Sequence, residues 1–337
     1  MAFDWETHPP MFIICSPRSG STLLRLLLNT HSKISIPPPG FMYAHFHTFM
    51  HTYGDLDDDA NLRAFVDDVV EFHHSKIWSV TFTAEEILAR VQERNFRGVN
   101  TAVHECWAAH HEKVRWGEKS PRDIYWIGQI LEDYPNAQFL HIFRDGRDVA
   151  IDWVDNLDWP NNIYSTALEW KAHTNAVKPW RKKLNDKQLM EIRYEDMVSD
   201  PPKKLGEICE FLGVDYEPEM LQYYSSPEAG KWSASEACHA YVAQPITTDY
   251  IGFHKNRLEP DDISMLAGLI GPELRDLGYT VDEKPRELSE EERNLYISEA
   301  SGGTIETYRW YVGTKKRRYE RLEKGIWSEK GRTKAFG

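Results

Sequence analysis

Hydrophobic and polar positions fall into regular blocks along the chain, and the first block is the clearest. Residues Phe12 to Cys15 form a short apolar run, which predicts a buried strand. A polar turn from Ser16 to Gly20 follows, and Ser21 to Asn29 then carries the dense leucine pattern of a packed helix. The pattern therefore predicts a strand, a turn and a helix in immediate succession.

Further strands and helices alternate after this unit. The apolar runs that predict strands are 33–36, 114–117, 138–143 and 189–194. The patterns that predict helices are 61–74, 83–93, 100–112, 124–134, a helix from about 148, and 202–212 followed by Gly213. Because strands and helices alternate, we expect an α/β fold with a central parallel sheet and helices on both faces.

Composition and charge exclude several classes of protein. With 337 residues, of which 41% are hydrophobic, the chain is long enough for one large α/β domain. A net charge of −13 argues against a nucleic-acid binder, which needs a basic surface. No apolar run approaches the roughly 18 residues of a membrane span, and residues 1–10 lack the features of a secretory signal. We therefore expect a cytoplasmic protein without membrane contact.

The cysteines and the C-terminal residues add two expectations. Cys15, Cys106, Cys209 and Cys238 form no CxxC pair, which favours free thiols in a reducing compartment. Residues 305–337 carry ten Lys/Arg and four Asp/Glu, a local charge of +6. We therefore expect a main domain over residues 1–300 and a basic, aromatic extension over residues 301–337.

The turn of the first unit has the chemistry of an anion site. A turn between a strand and a helix N-terminus presents unpaired N–H groups and the positive end of the helix dipole. Arg18 suits an anion with several oxygens, Ser19, Ser21 and Thr22 can donate hydroxyl hydrogen bonds, and Gly20 permits close backbone approach. The first glycine and the lysine of a Walker A loop are missing, which counts against an NTPase.

Two blocks together resemble one enzyme family. Residues 15–24, CSPRSGSTLL, resemble the 5′-phosphosulfate loop of the sulfotransferases that use 3′-phosphoadenosine 5′-phosphosulfate (PAPS). Residues 139–150, FLHIFRDGRDVA, resemble the strand, turn and helix that bind the 3′-phosphate in this family, which implies that Arg144 grips that phosphate. Many relatives carry a serine eight residues later, where this chain has Asp152. We expect either that another donor replaces the serine or that Asp152 turns toward the acceptor.

Three later blocks follow in the family's order. WGEKSPR at 116–122 is similar to the segment whose lysine, here Lys119, lies near the transferring group. RYEDM at 193–197 resembles a segment near the nucleotide, which implies a nucleotide contact for Tyr194. GFHKN at 252–256 resembles the loop that closes over PAPS, where Lys255 would reach the 3′-phosphate. The resemblance spans residues 10–280 and implies the P-loop-like sulfotransferase architecture.

The resemblance implies a reaction as well as a fold. We expect in-line transfer of a sulfuryl group from PAPS to a hydroxyl or amine of a small molecule, leaving 3′-phosphoadenosine 5′-phosphate (PAP). Arg18, the loop N–H groups and Lys119 would stabilise the charge that moves to the leaving phosphate, without a metal ion. A PAPS-binding protein without catalysis and a nucleotide-dependent phosphotransferase are the alternatives.

The general base is less defined by the sequence. Several relatives place a glutamate just after the second strand, where this chain has Pro37 to Gly40 without a carboxylate. His45, His47 and Glu118 are the nearby candidates, and on a strand His45 and His47 would share a face. We favour His45, because the neighbouring charge of Lys119 should make an ionised Glu118 a weaker base. The loose spacing of the histidines in this region does not indicate a metal site.

Two aromatic and polar segments, 41–47 and 152–160, are candidates for the lining of an acceptor pocket. Tryptophan beside aspartate suits a cationic acceptor, and the aromatic residues suit an aromatic one. We expect a small-molecule acceptor. The alternative role of the two segments is ordinary packing of large aromatic residues in the core. A homo-oligomer is left open by the sequence.

Overall fold

A five-stranded parallel sheet forms the centre of the part of the chain that the structure describes. This structure, a computed structural model, describes residues 8–74, 78, 80, 82–156, 162–235 and 241–299. The strands are β1 Met11–Cys15, β2 Ile34–Ser35, β3 Arg115–Lys119, β4 Gln138–Phe143 and β5 Leu189–Arg193. They lie in the order β2-β3-β1-β4-β5, and each pairing is parallel. The predicted α/β fold with a parallel sheet is confirmed.

Helices connect the strands. The α-helices in the described ranges are α1 Ser21–Thr30, α2 Met42–His45, α3 Asp59–His74, α4 Ala84–Leu88, α5 Phe96–His110, α6 Ile127–Asp133, α7 Gly146–Asn156, α8 Ile163–Val177, α9 Tyr194–Ser199, α10 Pro201–Leu212, α11 Pro227–Ser235, α12 Pro260–Asp276 and α13 Glu290–Glu299. Short 3₁₀ helices include His47–Thr52, Pro121–Tyr125, Trp180–Lys182, Pro218–Ser225 and Phe253–Asn256.

Hydrophobic cores cover both faces of the sheet. Successive side chains of a strand point to opposite faces, and β1 is buried over its whole length. Phe12 and Ile14 pack into one core with residues of α3 and α5. Met11, Ile13 and Cys15 pack into the other with residues of α1 and α10. The predicted placement of helices on both faces is therefore confirmed.

The carboxyl ends of the strands meet at one edge of the sheet. β1 is flanked by β3 on one side and β4 on the other. The chain leaves β1 toward β2 and β3, and later returns to the opposite side for β4 and β5. Ligands of open α/β sheets bind at such a reversal, outside the carboxyl ends of the strands. The loops after β1, β3 and β4 are therefore the place to seek a site.

Some element boundaries differ from the predicted ones. The predicted helix 124–134 is divided into a 3₁₀ turn, Pro121–Tyr125, and α6, because Trp126 between them leaves helical geometry at φ −113° and ψ 10°. The predicted helix 83–93 ends at Leu88, where hydrogen bonds tighten into 3₁₀-type turns. α10 ends at Gly213, as predicted, with φ +70°.

Two expectations concern the periphery of the fold. The predicted extension 301–337 lies outside the described residues. Within the described ranges, no helix combines the length and the apolar character needed to cross a membrane.

Candidate functional site

The turn between β1 and α1, residues 16–20, is the candidate anion site of the sequence analysis, and we call it the phosphate turn. Gly20 precedes α1 in the left-handed region at φ +87°, and among the described residues no side chain caps this helix N-terminus. Arg18 also takes a left-handed conformation, at φ +65°. The hydroxyl of Ser19 is buried without a hydrogen-bond partner in the described part of the chain. A helix N-terminus without a side-chain cap and an orphaned hydroxyl beside it are features of an anion site.

Tyr194 closes one side of this turn. It follows β5 directly as the first residue of α9. A Cβ atom built on Gly20 would lie 2.4 Å from Cδ2 of the Tyr194 ring, so only glycine fits at residue 20. The same ring lies against the guanidinium of Arg144, whose Cζ is 4.8 Å from the ring centroid. Tyr194 therefore contacts both elements of the site that the sequence analysis assigned to phosphates.

Arg144 is held on several sides just after β4. Its Nη1 donates to the carbonyl of Arg18 at 3.1 Å, and its Nη2 donates to the carbonyl of Tyr250 at 2.9 Å. Its Cζ lies 5.3 Å from the ring centroid of Phe253. Its Nε has no hydrogen-bond partner among the described residues. The guanidinium is thus fixed beside the phosphate turn, with one buried donor left over.

Asp152 joins the two arginines. Its Oδ1 accepts a hydrogen bond from Arg18 Nε at 2.7 Å, and its Oδ2 accepts one from Arg144 Nη1 at 2.8 Å. The sequence analysis expected a substitute donor here or a turn of Asp152 toward the acceptor; instead, the carboxylate bridges the two arginines. We name these contacts the Asp152 bridge. Two guanidinium groups this close need a counter-charge, which Asp152 supplies.

The loop at residues 252–256, which we call the late loop, packs over Arg144 and is anchored by Asp148. The Asp148 carboxylate accepts hydrogen bonds from the N–H groups of Gly252 at 2.7 Å and His254 at 3.0 Å, and also pairs with the His254 ring. Burial raises the pKa of Asp148, but these hydrogen bonds outweigh it, and the pKa lies below its ordinary value. Lys255 is exposed on this loop, and its contact with a 3′-phosphate stays a prediction.

Lys119 reaches the phosphate turn from β3. Its Nζ donates to the hydroxyl of Thr22, in the first turn of α1, at 3.3 Å. It is the last residue of β3, next to β1 in the sheet, and its side chain is buried. The structure thus brings Lys119 together with the loop residues, and its place near the transferring group stays a prediction.

Glu118 lies in a buried polar cluster near the carboxyl end of β3. Its Oε1 accepts a hydrogen bond from Ser120 Oγ at 3.1 Å, and its Oε2 lies 3.7 Å from Nε2 of His104. Burial raises the pKa of Glu118 to about 7, despite hydrogen bonds that lower it. Burial and the charge of Glu118 also raise the pKa of Asp123 well above its ordinary value. The sequence analysis expected Lys119 to make an ionised Glu118 a weaker base, whereas burial is the main influence on the pKa of Glu118 in the structure and raises it.

His104 does not supply a positive charge to this cluster. Burial lowers the pKa of His104 to about 4, although a backbone hydrogen bond from its ring to Asn100 opposes the shift. The imidazole is therefore neutral at physiological pH. Glu118 has no cationic partner in His104, and a proton on the carboxyl is the less costly state for such a buried group.

The segment that carries His45 and His47 is helical, so the expectation that both lie on one face of a strand is wrong. His45 ends α2 and His47 begins a 3₁₀ helix. Prolines at 37–39 lack the N–H groups that would extend a strand beyond β2. The start of α2 is held instead by Ser120, the residue directly after β3, since the N–H of Phe41 donates to Ser120 Oγ at 3.1 Å.

The two histidines have different surroundings. His45 is half-buried, with its ring centroid 5.4 Å from that of Phe41 and 5.2 Å from that of Phe72. His47 packs against aromatic rings, including Phe96 at 4.7 Å between centroids. Burial lowers the pKa of His47 to about 4, and its Nδ1 has no hydrogen-bond partner in the described ranges. His47 thus packs among aromatic rings, and both histidines are half-buried.

The sequence analysis missed two contributors to the site. Asp148 could have been found, because it lies four residues from Asp152 and so shares one face of α7 with it. Tyr250 acts through its backbone carbonyl, which leaves no signal in the side-chain pattern. Of the two segments proposed to line an acceptor pocket, 41–47 is described, and residues 157–160 of the other lie outside the described ranges.

Comparison with known proteins places the chain in a family. A model of the sulfotransferase family matches residues 9–218. Protein-tyrosine sulfotransferase A of Caenorhabditis elegans is 23% identical over 299 residues, which cover 83% of this chain and 70% of that protein. An uncharacterised protein of Aquifex aeolicus is 24% identical over 233 residues, and the match spans 65% of this chain but only 28% of the Aquifex protein.

Solved structures share the fold. The sulfotransferase domain of the Synechococcus PCC 7002 olefin synthase is 21% identical with a TM-score of 0.54, covering 80% of this chain and 94% of that domain. The sulfotransferase domain of the curacin biosynthetic pathway is also 21% identical, with a TM-score of 0.55 and coverages of 81% and 99%. The family match spans more than half of the chain and contains the phosphate turn, Lys119 and Arg144. The chain therefore belongs to the sulfotransferase family and is a sulfotransferase enzyme.

Proposed function

We propose that the chain binds PAPS at the carboxyl edge of its sheet and transfers the sulfuryl group to a hydroxyl or amine of a small acceptor. The observation that carries this proposal is the convergence of Arg18, Lys119 and Arg144 around the N-terminus of α1. Three cationic side chains and an uncapped helix N-terminus form a strong site for an anion that carries several phosphate or sulfate oxygens.

The residues fit the two charged ends of this donor. The N–H groups at the start of α1 and the orphaned Ser19 hydroxyl offer donors for a 5′-phosphosulfate. Arg144 offers a buried Nε without a partner among the described residues, which suits a 3′-phosphate. Tyr194 lies against both elements and would contact the nucleotide between them. Lys255, exposed on the late loop, is proposed to add a second cation to the 3′-phosphate.

Charge stabilisation is the main catalytic role that we assign. Sulfuryl transfer needs the acceptor, the sulfur and the leaving oxygen in line, and negative charge develops on the leaving phosphate. We assign the stabilisation of that charge to Arg18, Lys119 and the loop N–H groups. Since a phosphate is already a weakly basic leaving group, we expect transfer to proceed without a metal ion.

We propose His45 as the general base for a hydroxyl acceptor. It lies at the end of α2, whose first turn is tied to β3 through Ser120 and Glu118. It keeps partial access to solvent, whereas Glu118 is fully buried. Histidine is a common general base at neutral pH. Glu118 then acts as a positioning residue, because its Oε1 also accepts from the N–H of Met42 at 3.4 Å.

An acceptor screen tests the proposed function. The protein is incubated with PAPS and, separately, with a phenol, an aliphatic alcohol, an aliphatic amine and a tyrosine-containing peptide, the last because a relative is a protein-tyrosine sulfotransferase. Mass spectrometry then detects products that have gained one sulfuryl group, in the presence of EDTA. Transfer to any small acceptor supports the proposal. Transfer to the peptide alone would replace the acceptor class, and PAPS binding without transfer would favour a non-catalytic binding protein.

A parallel reaction tests the remaining alternative. ATP and Mg²⁺ replace PAPS, and transfer of a phosphoryl group to the same acceptors is measured. A phosphotransferase requires the metal ion to neutralise its nucleotide phosphates. Phosphoryl transfer that EDTA abolishes, together with no reaction from PAPS, would overturn the proposed donor.

A further inference from the structure

We propose that Asp152 is an internal competitor for the nucleotide phosphates, which limits the affinity of the site and promotes release of the spent nucleotide. This inference rests on the proposed function, because it takes PAPS as donor and PAP as product. It starts from the Asp152 bridge, in which one carboxylate accepts from both Arg18 and Arg144. A carboxylate bound to two guanidinium groups imitates the oxygens of a phosphate.

One edge of the Arg18 guanidinium is occupied by the Asp152 bridge. Nε of Arg18 donates to Oδ1 of Asp152 at 2.7 Å, and Nη2 lies 2.5 Å from the same oxygen. Both nitrogens converge on one oxygen, and they belong to an edge of the guanidinium that also suits a phosphate or sulfate. Arg18 can therefore turn this edge to a phosphosulfate only by leaving Asp152.

The Asp152 bridge reduces the number of donors that Arg144 can offer to a phosphate. The two hydrogens of Nη1 are matched by the carbonyl of Arg18 and by Asp152, and Nη2 donates to Tyr250. The rings of Tyr194 and Phe253 lie against the guanidinium, so it cannot turn freely to a new partner. The orphaned Nε and the second hydrogen of Nη2 remain, and a phosphate gains a donor of Nη1 only by displacing the carboxylate.

Electrostatics, like the hydrogen-bond geometry, predicts that Asp152 weakens phosphate binding. The two guanidinium groups carry two positive charges, and the buried Asp152 carboxylate cancels one of them. A phosphate entering the site also meets the negative charge of Asp152 at close range, where water screens it weakly. Removing this charge should therefore strengthen nucleotide binding. The carboxylate would also re-form the bridge as PAP leaves, which speeds product release.

The test compares PAP binding by the wild type with binding by Asp152→Ser and Asp152→Asn. We expect both variants to bind PAP about 10- to 100-fold more tightly by calorimetry, with slower PAP dissociation in stopped flow. Glu228→Gln is the matched control. Glu228 also bridges two donors of the described chain, Arg25 and Asn29, which lie in the middle and at the end of α1 rather than in its first turn. The control removes the same charge and should leave PAP affinity within about twofold of wild type.

Two outcomes overturn the inference separately from the proposed function. Unchanged or weaker PAP binding in both variants means that Asp152 positions the arginines rather than competes with phosphate. Failure of the wild type and all variants to bind PAP overturns the proposed donor itself. If both variants unfold, the complex of the wild type with PAP decides. The inference requires that Asp152 leave Arg18 and Arg144 in that complex, and an intact Asp152 bridge overturns it.

Discussion

The ring of Tyr194 fills the space that a side chain at residue 20 would occupy. A Cβ atom on Gly20 would lie 2.4 Å from Cδ2 and 2.8 Å from Cε2 of this ring. Gly20 also takes φ +87°, a conformation that L-residues rarely adopt. Two independent constraints therefore require glycine at residue 20. One is the positive φ of the backbone, and the other is the Tyr194 ring packed against it.

Gly20→Ala should destabilise the protein and disrupt the phosphate turn. We expect a loss of about 2–5 kcal/mol in the free energy of unfolding, from backbone strain and from the overlap with Tyr194. Gly213→Ala is the matched control, since Gly213 has φ +70° with open space around its Cβ. It should lose only about 1–2 kcal/mol. Denaturant unfolding measures both values, and equal losses would remove Tyr194 from the explanation.

Arg18→Ala should abolish most sulfuryl transfer, because Arg18 is assigned to charge on the leaving group. Loss of one charge-assisted contact in a transition state costs about 2–4 kcal/mol, or roughly 30- to 1,000-fold in kcat/KM. Steady-state kinetics with the best acceptor of the screen measures this loss. Arg63→Ala, at an exposed position on α3, is the control. Turnover of Arg18→Ala at the level of this control would remove Arg18 from the mechanism.

Arg144→Ala should weaken the binding of PAP far more than the binding of AMP, which lacks the 3′-phosphate. Arg144 lies beside the carbonyl of Arg18 and retains a buried donor, so its proposed ligand is the 3′-phosphate. We expect a loss of about 10- to 100-fold for PAP, a size typical of a charge-assisted hydrogen bond. Calorimetry with both nucleotides provides the comparison. Equal losses for PAP and AMP would refute the assignment.

The parts of the fold that follow from local pattern were predictable. The run Phe12 to Cys15 and the leucines after Gly20 determine β1 and α1 through burial and periodicity, and both elements are present. The short segment around His45 was not predictable in this way. A few apolar residues suit a strand or a helix equally, and the contacts of Phe41 and Met42 with β3 decide for the helix.

The charges of the site show a second limit. Arg18 and Asp152 are 134 positions apart, so their pairing depends on how α7 packs against the first turn. Glu118 and Lys119 are adjacent in sequence, which suggested that their charges interact strongly. Their side chains point to opposite faces of β3, however, and burial is the main influence on the pKa of Glu118. Sequence identified the residue types of the site, whereas tertiary packing determines their partners and charge states.

His45→Ala should reduce turnover on a hydroxyl acceptor while nucleotide binding is retained. A general base contributes about 10²–10⁴-fold to kcat, and His45 lies on α2, outside the phosphate turn. His47→Ala is the control, because His47 packs among aromatic rings and its pKa is lowered to about 4 by burial. The measurement pairs kcat with PAP affinity for both variants. A loss of turnover in Glu118→Gln but not in His45→Ala would move the role of base to Glu118.

Glu118 should make the protein less stable as the pH rises. Its pKa in the folded state is about 7, raised from an ordinary value of 4.5 by burial. Between these values the folded protein holds a proton that the unfolded chain releases, so unfolding becomes easier with increasing pH. The cost is small below pH 4.5 and reaches its full size above about pH 7. Burial of Asp123 acts in the same direction.

Glu118→Gln removes this cost and should therefore gain stability over the wild type at high pH. The quantity to compare is the free energy of unfolding of Glu118→Gln minus that of the wild type. We expect this difference to be about 1–3 kcal/mol larger at pH 8 than at pH 5. The amide keeps the shape of the side chain and an oxygen for the hydroxyl of Ser120. Glu210→Gln, on the exposed face of α10, makes the same change of charge and controls for net charge. Urea unfolding at both pH values gives the comparison. A difference between Glu118→Gln and wild type that does not change with pH would mean that Glu118 is already ionised in the folded protein.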